Sequence, residues 1–232
     1  MQYFVSQPIG AGDIIFTQTL IKEVAKENPV LWPTESYYLE GFRKAYPRIN
    51  FVDKATISQY LLNVKDIGMK QGYYILPIRW SDTIMKVPYK YVMRAKYDMF
   101  GMDWKMWKRD ACPVRDLKKE KQLFKELGLK KNEPYNLINK NYLRNGNGVA
   151  EIEVGNGLKN VFMDYKSGYS LFDWCYLIEN AMYVHSVSTS VLFLLEMLDL
   201  KAKEVHLYSR KPYEHGFNFV DYLFSKDYVL HD

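Results

Sequence analysis

The chain has 232 residues, of which 48% are hydrophobic and 25% are charged, and its formal net charge is +5. This composition is that of a globular protein, and it excludes a disordered, collagen-like or highly charged tail protein. The two cysteines, Cys112 and Cys175, and the four histidines form no CxxC or HExxH motif. A disulfide framework and a zinc site are therefore not expected.

The sequence contains no recognisable targeting or membrane segment. The N-terminus lacks the basic region and long apolar run of a signal peptide. The most apolar later stretch, 191–200, is interrupted by Glu196 and Asp199, so it is not a candidate membrane span. We therefore expect a reduced, cytoplasmic protein without a transmembrane segment.

Strands and helices alternate along the first part of the chain. The predicted elements are a strand at 2–9, a glycine turn at 10–13, a helix at 14–24, a strand at 29–32, a helix at 36–46, and strands at 49–52 and 72–78. This alternation is typical of an open parallel sheet with helices on its faces.

The middle segment, 86–131, carries the basic excess, with 14 Lys and Arg against 6 Asp and Glu. Its basic residues are interleaved with aromatic ones, a pattern that can bind single-stranded nucleic acid. A solvated amphipathic helix at 116–128, with Leu117, Leu123 and Phe124 on one side, explains the same charges. Both interpretations stay open.

The alternation resumes after the basic segment. The predicted elements are strands at 135–138 and 161–164, a helix at 170–181, a strand at 183–187, a turn at 188–190, a helix at 191–198 and a strand at 204–208. Ser170 and Asp173 have the spacing of a capping box at the start of the first of these helices. We expect two α/β halves, 1–130 and 131–232, with mainly parallel sheets that face a cleft.

Two turns between a strand and a helix are candidate ligand sites, because ligands of open α/β sheets bind at the carboxyl ends of strands. In the first turn, Gly10 and Gly12 allow a close approach of the backbone, and Asp13 begins the helix. The turn is too short for a GxGxxG fingerprint and lacks the lysine of a P-loop. An N-cap or first-turn acid, favoured by the helix dipole, is the alternative interpretation of Asp13.

The second turn places the hydroxyls of Ser188, Thr189 and Ser190 at a strand end, where they suit phosphate oxygens or cap the next helix. Tyr208 and Arg210 follow the next strand and fit a nucleotide diphosphate, or else lie in an ordinary surface loop. No GxSxG elbow surrounds the serines, so hydrolase chemistry is not indicated. His185, just upstream, is predicted to be a packed strand residue.

These turns, together with the stretches Ile9–Ile21 and Leu177–Ser190, resemble the GT-B class of glycosyltransferases, most nearly its heptosyltransferase-like branch. The segment from Gly168 to Arg210 also looks like short glycosyltransferase-like proteins of viral, phage and bacterial genomes. The outline covers nearly the whole chain. The sequence departs from the family pattern at three positions of the second turn and the helix after it. Ser188 occupies the position where the family has an acidic residue, Ser190 the position of a glycine, and Phe193 the position of a histidine.

The resemblance implies a metal-independent glycosyltransferase that moves a sugar from a nucleotide-sugar donor to a glycan, lipid-linked or other acceptor hydroxyl. Inverting chemistry is expected, with no cofactor besides the nucleotide sugar. The N-terminal half would be the acceptor side, with Asp13 as the general base, and the C-terminal half the donor side. The residues implied to bind the donor are Gly12, Lys140, Ser188, Thr189, Ser190, Tyr208 and Arg210.

Two other functions remain open at this level. The segment 86–131 makes a nucleic-acid-binding module possible, and a nucleic acid would also be a conceivable acceptor. The altered turn at Ser188, Thr189 and Ser190 is compatible with a catalytically inactive, GT-B-derived binding protein. For the active enzyme, Asp13→Asn is expected to abolish transfer and to leave folding and nucleotide binding intact.

Overall fold

The structure is a computed structural model that describes residues 1–79, 81–142, 148–210 and 220–231. The chain divides into two compact units, Met1–Val114 and Arg115–Asp232. This division falls before the helix predicted at 116–128, whereas the sequence suggested a boundary after residue 130. Within the described ranges, no helix combines the length and apolar character that a membrane span needs.

The first unit contains a five-stranded sheet in the order β3-β2-β1-β5-β4. Its strands are β1 (Tyr3–Val5), β2 (Val30–Thr34), β3 (Asn50–Asp53), β4 (Gly68–Lys70) and β5 (Tyr73–Leu76). All pairings are parallel except that of β4 with β5. The sequence did not predict β4, a three-residue strand. Gln71 and Gly72 join it to β5, both with positive φ, as a tight hairpin turn requires.

In the described residues of this unit, seven short α-helices accompany the sheet. They are α1 (Ala11–Phe16), α2 (Gln18–Ala25), α3 (Ser36–Ala45), α4 (Gln59–Leu62), α5 (Asp82–Met85), α6 (Val92–Asp98) and α7 (Lys108–Ala111), with 3₁₀ turns at Lys54–Thr56, Tyr89–Tyr91 and Trp104–Trp107. The single helix predicted after the glycine turn is therefore two helices, which meet at Thr17. The rings of Tyr97 and Trp107 are buried and lie 5.1 and 5.5 Å from the ring of Phe16. These contacts pack α6 and the segment before α7 against α1.

The second unit contains another five-stranded sheet, in the order β10-β9-β8-β6-β7, and every pairing in it is parallel. Its strands are β6 (Tyr135–Asn139), β7 (Lys159–Phe162), β8 (Tyr183–Val187), β9 (Glu204–Tyr208) and β10 (Val229–His231). The bounds of β8 and β9 are those predicted from the sequence, whereas β10 is a three-residue strand that was missed. The predicted fold class, α/β with mainly parallel sheets, is confirmed.

The described helices of the second unit are α8 (Leu117–Glu126), α9 (Cys175–Asn180), α10 (Val191–Met197) and α11 (Val220–Leu223), with a 3₁₀ turn at Leu171–Trp174. Three of them, α8, α9 and α10, agree with the sequence pattern, whereas α11 was not predicted. The helix predicted at 170–181 thus begins as a 3₁₀ turn and continues as α9. The predicted capping box is confirmed. Ser170 N donates to Asp173 Oδ2 at 2.6 Å, and the Ser170 side chain accepts from the backbone N–H of Asp173.

Helix α8 shows why the basic segment is divided between the two units. Leu123 is buried as expected, but Leu117 is 51% exposed because it lies at the first residue of the helix, outside the buried stripe. Glu120 is buried instead, and its carboxylate is paired with the guanidinium of Arg115, which also donates to Glu179 at 2.6 Å. The ion pairs hold the start of α8 against α9, so this helix belongs to the second unit.

A buried carboxylate fixes α10 to the segment that leads into β10. Glu196 is 5% exposed and accepts hydrogen bonds from Ser225 N at 3.1 Å, Lys226 N at 3.1 Å and Tyr228 Oη at 2.5 Å. Glu196→Ala should lower the free energy of unfolding by about 3 kcal/mol, because these buried donors lose their acceptor. Urea unfolding tests this, with the exposed Glu204→Ala as the control. A loss of less than about 1 kcal/mol for Glu196→Ala would contradict it.

Candidate active site

The glycine turn after β1 places Asp13 in the first turn of α1. The N-cap is Gly10, whose φ of 86° lies in the left-handed region that favours glycine. A Cβ at this position would also overlap Asp13 Oδ2, so the carboxylate packs directly against the Gly10 backbone. Gly12 is the second residue of the helix. Asp13 is therefore a first-turn acid and not the N-cap, and its side chain remains 33% exposed.

The carboxylate of Asp13 is paired with Lys96, a residue that the sequence did not single out. Lys96 Nζ donates to Asp13 Oδ1 and, at 3.2 Å, to Gln7 Oε1. The side chain of Lys96 is only 3% exposed, and a buried ammonium group is costly without an anion beside it. The pairing engages Oδ1. Oδ2 lies over Gly10 and has no bonded donor in the part of the chain that the structure describes.

Lys96 is held in place by its neighbours in α6 and in the turn after β1. The adjacent Tyr97 is fully buried, and its hydroxyl donates to Phe16 O at 2.8 Å, which fixes α6 to the end of α1. Burial raises the pKa of the Tyr97 hydroxyl, so this group remains a donor at neutral pH. On the other side, the backbone carbonyl of Gln7 accepts from Trp32 Nε1 at 3.0 Å. The cation is thus presented to Asp13 by rigid, buried structure.

The same contacts bear on the nucleic-acid interpretation of the segment 86–131. Tyr97 and Trp107 are core residues, with 0% and 1% exposure, so they are not available to stack on bases. Several of its cations are paired with carboxylates: Lys96 with Asp13, Arg109 with Glu23 and Asp110, Arg115 with Glu120 and Glu179, and Lys119 with Asp173. These four of the 14 basic residues of the segment therefore have a structural role.

In the second unit, the predicted turn lies beside a buried asparagine at the end of β6. Asn139 faces Ser186 across the parallel pair β6–β8, and its Nδ2 donates to Ser186 Oγ and Thr189 Oγ1, both at 3.0 Å. Ser188 is buried, and its backbone N–H donates to Tyr208 O at 3.1 Å. Thr189 and Ser190 are partly exposed. The structure therefore presents two of the three predicted hydroxyl residues at the surface of this unit.

Tyr208 lies on the opposite face of the sheet from Ser186. It pairs in register with Val187, the next residue of β8, and successive side chains of a strand alternate between faces. The ring of Tyr208 stacks on His231, with centroids 4.4 Å apart, and its hydroxyl lies 3.1 Å from His185 Nδ1. One face of the predicted aromatic platform is therefore already occupied.

His185 is the packed strand residue that the sequence predicts. It is 6% exposed and stacks on His206 with ring centroids 4.5 Å apart. Burial and the neighbouring imidazoles of His206 and His231 lower the pKa of His185 to about 4, so the ring is neutral at pH 7. Burial also raises the pKa of Tyr208. His185, His206, Tyr208 and His231 form one cluster, on the face of the sheet opposite Ser186.

Two predicted cations follow strand ends of the second sheet. Arg210 comes after β9, and its Nε is buried without a hydrogen-bond partner among the described residues. A buried donor of this kind needs an acceptor, such as an anion. Lys140 comes after β6, and its Nζ lies 4.9 Å from the centre of the Phe162 ring, a cation–π contact. In the described ranges, no group of three or more His, Cys, Asp and Glu side chains is placed to hold a metal ion.

Comparison with known proteins identifies the fold. No family model matches the sequence, and no curated protein matches it. A glycosyl transferase of family 9 from Veillonella parvula DSM 2008 superposes with a TM-score of 0.58 at 9% identity, covering 99% of this chain and 86% of its own. The iron-containing dodecameric glycosyltransferase TibC from enterotoxigenic E. coli H10407 gives 0.52 at 12% identity over 90% of this chain.

The chain spans only 57% of the length of the TibC structure. At these identities the likeness concerns the fold. This chain therefore has the fold of these two glycosyltransferases, as the resemblance implied.

Proposed function

We propose that this protein is a glycosyltransferase that moves a sugar from a nucleotide-sugar donor to an acceptor hydroxyl, with Asp13 as the general base. The observation that carries the proposal is the position of Asp13 in a GT-B-type fold. Its carboxylate is partly exposed, lies in the first turn of α1 and is held by the buried Lys96. A general base needs such an oriented carboxylate within reach of the hydroxyl that it deprotonates.

In the proposed reaction, the acceptor hydroxyl gives its proton to Asp13 as its oxygen attacks the anomeric carbon. The bond between that carbon and the phosphate oxygen breaks, and the nucleoside diphosphate leaves with the electron pair. Asp13 Oδ2 is the oxygen assigned to the proton, because Oδ1 is engaged by Lys96. One base and a single displacement would invert the configuration at the anomeric carbon.

The leaving diphosphate acquires negative charge, which fixed donors stabilise most effectively. In the second unit, Thr189 and Ser190 supply partly exposed hydroxyls, and Arg210 supplies a buried Nε–H that has no hydrogen-bond partner among the described residues. Lys140, at the end of β6, would add a second cation. These groups support a donor site that needs no metal. One face of the Tyr208 ring is covered by His231, so Tyr208 would contact the nucleobase of the sugar donor only through its other face.

The first test is a thermal-shift screen with nucleoside diphosphates and nucleotide sugars. Because a ligand that binds only the folded state stabilises it, one such compound at 100 times its Kd should add about 2.7 kcal/mol. Arg210→Ala should remove most of that stabilisation, because a charge-assisted donor to the phosphates is lost. The exposed Lys203→Ala in the same unit serves as the control and should respond as the unmodified protein does.

The screen also separates the alternatives. A shift with no turnover of the bound nucleotide sugar would indicate an inactive GT-B-derived binding protein. No shift with any of these compounds, in a folded sample, would overturn the proposed donor site. Salt-dependent binding of single-stranded nucleic acid under the same conditions would instead favour the nucleic-acid-binding module.

A further inference from the structure

Asn139 lies beneath the hydroxyl turn of the second unit and contacts two hydroxyl groups at once. It is 6% exposed, at the last residue of β6, and Ser186 beside it on β8 is fully buried. A buried amide in such a position is retained by its hydrogen bonds, because an unpaired one would be costly. The sequence singled out the next residue, Lys140, and gave no signal for Asn139.

The hydrogen bonds determine which way the amide of Asn139 points. Ser186 Oγ donates its own hydrogen to Val187 O at 2.9 Å, so it accepts at its remaining contact, which is Asn139 Nδ2 at 3.0 Å. The amide nitrogen, and not the oxygen, therefore faces both hydroxyl groups.

The same network determines what the Thr189 hydroxyl can do. A hydroxyl oxygen has two lone pairs and one hydrogen. Thr189 Oγ1 accepts from Asn139 Nδ2 at 3.0 Å and from Val191 N at 3.4 Å, which occupies both lone pairs. Among the described residues its hydrogen has no acceptor, and Thr189 is partly exposed. The hydroxyl is in this way prepared as a donor toward an external acceptor.

We propose that Asn139 is a positioning residue that turns the Thr189 hydroxyl outward as a hydrogen-bond donor to the diphosphate of the sugar donor. This inference rests on the proposed function, and it identifies a residue of the donor site by its hydrogen bonds. Asn139 acts through Thr189 and does not itself contact the phosphates. Without the amide of Asn139, the Thr189 hydroxyl is free to turn inward and donate to Ser186 Oγ. Its hydrogen bond to the diphosphate is then lost.

The test measures binding of inorganic pyrophosphate to the full chain by isothermal titration calorimetry. Thr189→Val should weaken binding about 10-fold, the effect of losing one hydrogen bond to a charged group. Asn139→Ala should weaken it about 5-fold because the hydroxyl remains but is no longer oriented. The double variant should bind as Thr189→Val does, since Asn139 has no effect once the hydroxyl is gone.

Controls separate this role from a general loss of structure. Asn136 is a buried amide of the same strand that donates to Asn156 and Asn160, so Asn136→Ala should reduce stability without changing pyrophosphate affinity. Thr189→Ser keeps the hydroxyl and should retain the dependence on Asn139. If Asn139→Ala does not fold, Asn139→Ser takes its place.

Each outcome has a defined meaning. If the affinity losses of Asn139→Ala and Thr189→Val simply add in the double variant, the positioning role is overturned. The proposed donor site would still stand in that case, provided that the unmodified protein binds pyrophosphate. If the unmodified protein does not bind pyrophosphate at all, both the positioning role and the proposed donor site are overturned.

Discussion

Asp13→Asn should reduce sugar transfer by a factor of about 10²–10⁴, the contribution that a positioned general base makes to a reaction. The amide has the size of the carboxylate but cannot take the proton of the acceptor hydroxyl. The expected loss is in kcat, because the proton moves only in the transition state. The measurement is release of nucleoside diphosphate from the nucleotide sugar that stabilises the protein in the thermal-shift screen.

A matched control is Asp110→Asn. Asp110 is also an ion-paired carboxylate of the first unit, with Lys22 and Arg109 as its partners, but it has no place in the proposed reaction. The turnover of the Asp110→Asn variant should remain within about twofold of that of the unmodified protein. If Asp13→Asn also turned over at the normal rate, Asp13 would not be the base, and the reaction would need another proton acceptor.

Asp13→Asn should also destabilise the first unit, contrary to what the sequence suggests. The substitution leaves the ammonium group of Lys96, 3% exposed, beside a neutral amide. Removing one partner of a buried pair costs about 3–5 kcal/mol. Because Asp13 is one third exposed and the amide oxygen still accepts a hydrogen bond, we expect the lower end, about 3 kcal/mol.

Lys96→Met provides the decisive comparison, since it removes the charge and keeps an unbranched apolar side chain. The double variant Asp13→Asn with Lys96→Met should recover most of the stability lost by Asp13→Asn alone, yet remain inactive. Urea unfolding measures the stability, and hydrogen exchange of peptides covering 11–25 and 92–98 assigns the change to the first unit. If the free energies of unfolding lost by Asp13→Asn and by Lys96→Met simply add in the double variant, the two residues are not coupled.

An ion pair at the surface serves as the control for the buried pair of Asp13 and Lys96. Lys22 is paired with Asp110, but its side chain is 48% exposed. Lys22→Met should change the free energy of unfolding by no more than about 1 kcal/mol, as exposed ion pairs do. The difference between the two lysines would then measure the effect of burial and not of ion pairing as such.

Local patterns in the sequence predicted most of the elements. The strand predicted at 183–187 has the observed bounds of β8, and the Ser170–Asp173 spacing predicted a capping box that is present. The elements that were missed are the short ones. β4 and β10 have three residues each, too few for a period of two to be visible. The helices α4, α5 and α11, which were also not predicted, have four residues each.

The candidate site was predictable only where its signal is local. Asp13 follows two glycines at a strand end, so spacing alone marks it as a candidate. Lys96 stands 83 residues later, in a run of charges that is equally typical of a solvated helix face. Asn139 is one polar residue at the end of an apolar strand, and nothing in its neighbourhood indicates the contact with Thr189.

The amino-acid sequence by itself determined the alternation of strands and helices, the two α/β halves and the location of the first acidic turn, because these depend on residues close together in the chain. Only the tertiary structure decided that Lys96 neutralises Asp13, since that contact depends on Tyr97 packing α6 against α1. It likewise decided that Asn139 meets Thr189, because the register of β6 against β8 brings them together. Long-range packing and strand register are properties of the folded chain, and no local pattern encodes them.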